Sequence, residues 1–234
     1  MTMNAAGAKS LSVVIPALDA AASLPRCLEA LEEARTAIPL NVVVADGGSR
    51  DGTGPLARGL GAAVVSSEPG RGRQLAAGAA ATRSDWILFL HADTVLGKGW
   101  SEEAARFMRD PANAKRAAAF RFALDDERPK ARRLEAFVSW RCRAFGLAYG
   151  DQGLLLSRSF FEEIGGFSPL PLMEDVDIAR RIGRRRLTLL DAPAITSAAR
   201  YRSEGYAARG ARNLVCLMLY FAGVPPKLIA RIYR

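Results

Sequence analysis

Apolar residues arrive in short unbroken runs separated by segments of helical spacing. Residues 11–16 (LSVVIP), 41–46 (NVVVAD), 61–67 (GAAVVSS) and 85–93 (DWILFLHAD) are four such runs. Continuous rather than alternating hydrophobicity predicts strands covered on both faces, the pattern of a parallel sheet between helical layers. Between the runs lie helical segments. Leu24, Leu28, Leu31 and Ile38 recur on one helical face, with Ser23 as N-cap and Pro25 in the first turn. Residues 53–60 and 73–82 supply two more helices. This alternation of β and α sets the fold class as α/β.

The second half is less regular. It predicts a capped helix over 101–108, a strand over 117–124, a basic helix over 129–145 and a short strand over 153–157. Ser159 and Glu162 form a capping-box pattern for a helix closed by Gly165 and Gly166. A last strand covers 187–193, and two helices broken at Pro225 and Pro226 follow from about residue 203. No internal repeat, low-complexity tract or linker divides the 234 residues, so one domain is expected.

Half the residues are hydrophobic and 24% are charged, enough for a packed core. The 33 Lys and Arg against 24 Asp and Glu leave +9, which favours anionic partners. Most of that excess is C-terminal: residues 200–234 carry seven basic side chains and one acid, Glu204. Their apolar helix faces suit internal packing, a homodimer contact or a peripheral membrane surface. The longest strongly apolar run, residues 214–224, is short of the ~20 residues that span a bilayer. Cys27, Cys142 and Cys216 lack metal-ligand spacing and read as reduced thiols of a cytoplasmic protein. The first 16 residues lack the basic and apolar regions of a signal peptide. The basic segments lack interleaved aromatics, which argues against nucleic-acid binding.

Chemistry collects in three places. Two strands are expected to end in aspartate, Asp46 and Asp93, where parallel sheets bind ligands. The turn after Asp46, DGGSRDGT, is glycine-rich, and Ser49, Asp51 and Thr53 can cap the next helix. Arg71 and Arg73 precede an alanine-rich helix whose N-terminus would attract an anion. Glu174 and Asp175 are adjacent acids opening a helix that ends in arginines. The polar loop YGDQG adds Asp151 and Gln152. His91, the only histidine, stands two residues before Asp93, as a metal or phosphate contact or a strand-end residue.

In this order, SVVIPALD, VVVADGGSRDGT, GRGRQLAAGA, FLHADT and MEDVDIARRI resemble family 2 glycosyltransferases, over residues 12–190. The wording GRGRQL, LHADT and GDQGLLLSRSFFEEIGGF is most similar to radical-SAM/selenodomain-associated transferase 2, also labelled arsenosugar-biosynthesis glycosyltransferase. The resemblance implies a GT-A fold, with a mostly parallel central sheet flanked by helices and a C-terminal helical extension. It implies a nucleotide-sugar half at about 10–97, an acceptor half at about 98–199 and C-terminal helices at about 200–234. It further implies an inverting, metal-assisted transfer from a nucleoside-diphosphate sugar, a UDP-sugar first, to an acceptor hydroxyl. By resemblance Pro16, Ala17, Asp19 and Asp46 bind the nucleoside, and Arg71 and Arg73 lie against the nucleotide. Asp93 holds Mg²⁺ or Mn²⁺, and Asp175, paired with Glu174, is the general base. Asp151 and Gln152 fall on the acceptor side. One departure stands out: the family usually has aspartate where this chain has His91, which can ligate Mn²⁺ but suits Mg²⁺ poorly.

Two other enzyme classes fit the sequence less well. A sugar-1-phosphate nucleotidyltransferase would carry a glycine-rich signature near the first strand, where the chain has PALDAAASLPRC. A haloacid-dehalogenase-type phosphatase would need aspartate in the position of His91.

Overall fold

The computed structural model describes residues 9–233, apart from the side chain of Thr36. Residues 1–8, the start of the segment read for a leader, and Arg234 of the basic tail lie outside the described residues.

The first strands form as the apolar runs predict. They are β1 (Leu11–Ala17), β2 (Leu40–Asp46), β3 (Ala63–Ser66) and β4 (Trp86–Phe89). Between them lie α1 (Leu24–Leu31), α2 (Thr53–Gly59) and α3 (Arg71–Ala80). Next come β5 (Thr94–Leu96), α4 (Trp100–Arg109), β6 (Ala117–Leu124), α5 (Pro129–Phe145), β7 (Leu154–Ser157) and α6 (Arg158–Glu163). The chain closes with α7 (Glu174–Ile182), β8 (Leu187–Thr196), α8 (Ala199–Glu204), α9 (Tyr206–Phe221) and α10 (Pro226–Tyr233).

All eight strands share one sheet in the order β3-β2-β1-β4-β7-β6-β8-β5. β3, β2, β1 and β4 run parallel, and β6 pairs parallel with β8. β7 pairs antiparallel with both β4 and β6, joining the two parallel groups, and β5 closes the far edge antiparallel to β8. The sheet is mostly parallel, as expected, and helices flank it.

Both faces are apolar because alternate residues of β1 serve different layers. Val13 and Ile15 pack with α1, α4 and Trp100, whereas Val14 packs with Leu75 of α3, Phe160 and Ile178. Trp100 is fully buried and donates its indole N–H to Ala30 O at 3.0 Å. Truncating such a residue costs about 3–5 kcal/mol. Helix α4 has Gly99 at its N-cap and no cap of its own. Glu33 reaches over instead, accepting from the Gly99 amide at 3.1 Å and the Ser101 hydroxyl at 2.7 Å.

Several local expectations change. β4 stops at Phe89, so Asp93 sits in the turn to β5 rather than at a strand end. The cap of α6 is Ser157, whose hydroxyl accepts from the Phe160 amide at 3.1 Å, not Ser159. β8 continues past Pro193 because the register slips between Ala119 and Arg121, placing Pro193 opposite Arg121. The C-terminal region holds a third helix, α8, ended by Gly205. The three cysteines are free and buried. Among the described residues no helix is long and apolar enough to cross a membrane.

Candidate functional site

The loops after β1 and β2 are stitched together by side chains bonding to backbone. Ser49 Oγ accepts from the Asp19 amide at 2.9 Å, and Asp19 Oδ1 accepts from the Arg50 amide at 2.8 Å. Asp51 accepts from the Ala21 amide, and Thr53 Oγ1 accepts from the Ala20 amide. Ser49, Asp51 and Thr53 therefore hold the neighbouring loop, while Gly52 is the N-cap of α2. Asp46 is engaged as well: its Oδ1 accepts from the Ser49 amide and hydroxyl at 2.9 and 2.6 Å. Pro16 and Ala17 are buried in β1. Asp19 is exposed and holds a positive φ of 49°, a costly backbone state for a non-glycine residue.

A residue without a sequence signal anchors this cluster. The buried Gln74 amide on α3 donates to Ala17 O at 2.6 Å and Ala45 O at 3.0 Å, bridging the ends of β1 and β2. Its distance from either strand in sequence concealed the role.

Arg71, three residues before Gln74, opens α3 and points into a second region. Gly72 sets how closely this helix end approaches: a Cβ there would lie 2.3 Å from Ser168 O and 3.1 Å from Leu170 N. The close approach brings Arg71 within 3.9 Å of Glu174, whose side chain is 2% exposed. Met173, just before Glu174, has φ 70°, which turns the chain into α7 at a conformational cost.

Arg71, His91, Asp93, Asp151, Glu174 and Asp175 line one cavity of about 500 Å³. They come from the start of α3, the β4–β5 turn, the Gly150–Gln152 turn and the start of α7. Among the described residues, several buried polar atoms lack a hydrogen-bond partner. His91 Nε2, Tyr149 OH, Asp151 Oδ1, Glu174 Oε1, Arg209 Nε and Asn213 Oδ1 are among them, and all belong to residues of this cavity. Folded proteins rarely leave such atoms orphaned, so their concentration marks a ligand site.

The electrostatics agree. Burial raises Asp175 above the usual carboxylate range, against the pull of Arg71 and the Gly150 amide. Burial, then Asp175, pushes Glu174 up to about 7. Burial also lifts Asp151 to about 6, with Asp175 and Asp93 adding to it. His91 is held well below its ordinary value by burial, then by Arg71 and Arg200, so it is neutral. Its ring lies against Gly150, where a Cβ would sit 2.2 Å from Nε2. Arg141 stacks on the Tyr149 ring at 3.8 Å. Clustered carboxyls with raised pKa values in a cleft suit proton transfer.

Six expected site residues do not line this cavity: Pro16 and Ala17 of β1, Asp19 of the loop after it, and Asp46, Arg73 and Gln152. Arg73 is exposed and pairs with Glu68 at 2.5 Å, outside the cavity. Asp46 is committed to its own turn. Gln152, expected on the acceptor side, is turned away from the cavity. Its buried side chain donates to Phe120 O at 3.1 Å and accepts from Cys142 Sγ at 3.2 Å, so it faces the fold. Asp93 is exposed at the cavity, and among the described residues no group of three His, Cys, Asp or Glu side chains is arranged to hold a metal.

The family model described as glycosyl transferase family 2 matches residues 12–168. No curated protein matches the chain. Glucosyl-3-phosphoglycerate synthase from Mycobacterium tuberculosis, solved with Mn²⁺, UDP and glucosyl-3-phosphoglycerate, is similar in fold. It has a TM-score of 0.63 at 20% identity over 94% of this chain and 82% of that one. A mannosyltransferase from Pyrobaculum calidifontis, solved with GDP-Man and Mn²⁺, has a TM-score of 0.62 at 18% identity, over 88% and 60%. Mannosyl-3-phosphoglycerate synthase from Rubrobacter xylanophilus has a TM-score of 0.62 at 18% identity, over 92% and 75%.

Proposed function

The chain belongs to glycosyl transferase family 2, and from that premise we propose an inverting, metal-assisted transfer of a sugar from a nucleoside-diphosphate sugar to an acceptor hydroxyl, with Asp175 as general base. A UDP-sugar is the first candidate donor. The observation that carries the reading is the cavity that gathers Arg71, Asp93, Glu174 and Asp175 with orphaned polar atoms around them.

The acceptor must lose a proton as its oxygen attacks the anomeric carbon. A carboxylate with a raised pKa accepts that proton readily near neutral pH. Asp175 meets this need, with Gly150 N–H and Arg71 keeping its ionised form accessible. Arg71, at the helix N-terminus, favours the negative charge of a departing diphosphate. Neutral His91 can donate or accept one hydrogen bond without adding charge.

The donor set fits a divalent cation. His91 Nε2 is unpartnered but packed against Gly150, so a single exposed carboxylate, Asp93, faces the ion, which is a poor cage. It suits an ion that takes its remaining ligands from substrate phosphates and water. The M. tuberculosis and P. calidifontis structures contain Mn²⁺. Bound there, the cation would offset the charge of the leaving diphosphate.

Residues 10–97 act as the nucleotide-sugar half, 98–199 as the acceptor half and 200–234 as a helical extension. The motif wording supports the radical-SAM/selenodomain-associated transferase 2 subgroup. Exposed Leu214, Met218, Phe221, Leu228 and Ile232 beside the basic tail support a peripheral membrane contact. Full-length protein that ignores anionic liposomes at low salt would remove that contact.

Thermal-shift titration with UDP and GDP, with and without Mn²⁺, tests the transferase reading. Metal-linked stabilisation is expected. No response to either nucleotide would count against it.

A further inference from the structure

The cavity has two unlike walls. The polar wall carries Arg71, Asp93, Glu174 and Asp175. The wall supplied by α5 and α9 is mostly hydrocarbon: Leu134, Phe137, Val138 and Trp140 from one helix, Leu214 and Leu217 from the other, with Arg141, Arg209 and Asn213 among them. Phe137, Trp140 and Leu214 are about half exposed even though they line a cavity. The Phe137 and Trp140 rings touch, with centroids 5.8 Å apart, and Trp140 meets Phe145 at 5.5 Å. Two arginines of this region have partners: Arg141 stacks on Tyr149, and Arg209 pairs with Glu204 at 2.9 Å, while Arg200 lines the cavity on the side of His91. Half-exposed apolar side chains that line the same cavity as a carboxylate leave apolar surface in water unless a ligand covers it.

We propose that the acceptor is an amphiphilic alcohol, whose hydrocarbon body lies between α5 and α9 while its hydroxyl reaches Asp175. This deepens the transferase reading and rests on it for the identity of the hydroxyl's partner. The occupant follows from continuity, because the apolar wall and the general base border the same space. A free sugar or phosphorylated small acid would leave that wall wet.

Trp140 supplies a direct probe, since Trp86 and Trp100 are buried. Glucose and the hexyl, heptyl and octyl β-glucosides share hydroxyls and differ in chain. They are titrated below their micellar concentrations, without nucleotide, against the emission of the full chain. Each added methylene should tighten binding by about fourfold, the equivalent of ~0.8 kcal/mol, with a blue shift of Trp140. Leu214→Gln should flatten that slope, and Leu60→Gln, on an exposed residue away from the cavity, should leave it intact. Trp140→Phe should abolish the shift.

An affinity independent of chain length in the wild type, or glucose binding as tightly as octyl glucoside, would overturn the proposal whatever the variants do. In transfer assays octyl glucoside should be used at least 100-fold more efficiently than glucose, and equal use would also overturn it. Nucleotide-linked stabilisation is measured separately, so a failed transferase reading and a failed acceptor class give different results.

Discussion

Arg71 and Glu174 approach to 3.9 Å, the arginine side chain 40% exposed and the glutamate side chain 2% exposed. The pair joins the start of α3 to the start of α7. It lets a buried acid sit beside Asp175 without an adjacent uncompensated charge. The contact exists because Gly72 admits the backbone of residues 168–170.

Gly72→Ala should therefore loosen the site from a distance. The new Cβ meets backbone, which cannot rotate away as a side chain would, so destabilisation of about 1–3 kcal/mol is expected. For a chain of this size that lowers Tm by about 3–10 °C. Gly59→Ala, where nothing lies within 4 Å, should be neutral or slightly stabilising. Thermal unfolding of both variants checks the contrast.

Asp175→Asn should cut transfer by about 10²–10⁴ and leave nucleotide-linked stabilisation largely intact. The amide keeps the shape and loses the basic oxygen. Nucleoside diphosphate release, measured beside thermal shift, separates the two effects. Transfer that survives would move the base elsewhere, to Glu174 or Asp151, the other two cavity carboxyls raised by burial.

Asp93→Asn should weaken Mn²⁺-dependent nucleotide binding by at least about tenfold, since one of few protein oxygens available to the ion loses its charge. Chelation of the wild type should reproduce the loss. Titration calorimetry with UDP at fixed Mn²⁺ reads it.

Glu174 predicts a pH dependence of stability. Its carboxyl is raised from 4.5 to about 7 by burial, then by Asp175. The folded state then holds a proton that the unfolded chain has already released. That stabilising contribution is complete below pH 4.5 and is lost as pH rises towards 7. Glu174→Gln should flatten the decline, seen as a wild-type minus variant difference in Tm between pH 4.5 and 8.

The strands of the first half and the acid pair of α7 were legible because their signals are local. An unbroken apolar run needs two covered faces, and adjacent acids suit a helix start. Other features depend on residues distant in sequence. Gln74 looks like any polar residue of an alanine-rich helix until the ends of β1 and β2 arrive beside it. Gln152 and Asp151 are neighbours, yet the turn sends one inward and the other to the cavity. Ser157 and Ser159 both suit a cap, and only the backbone decides between them. The apolar α5–α9 wall was hidden because each helix read singly is ordinary amphipathic surface.

Gln74 also has a mechanical consequence. Its one amide clamps the tips of two strands, and those strands carry the loops of Asp19 and Asp46. The same helix starts with Arg71. Helix, strand tips and both loops thus form a single stiff block, in which a rotation of α3 cannot be absorbed by any one part.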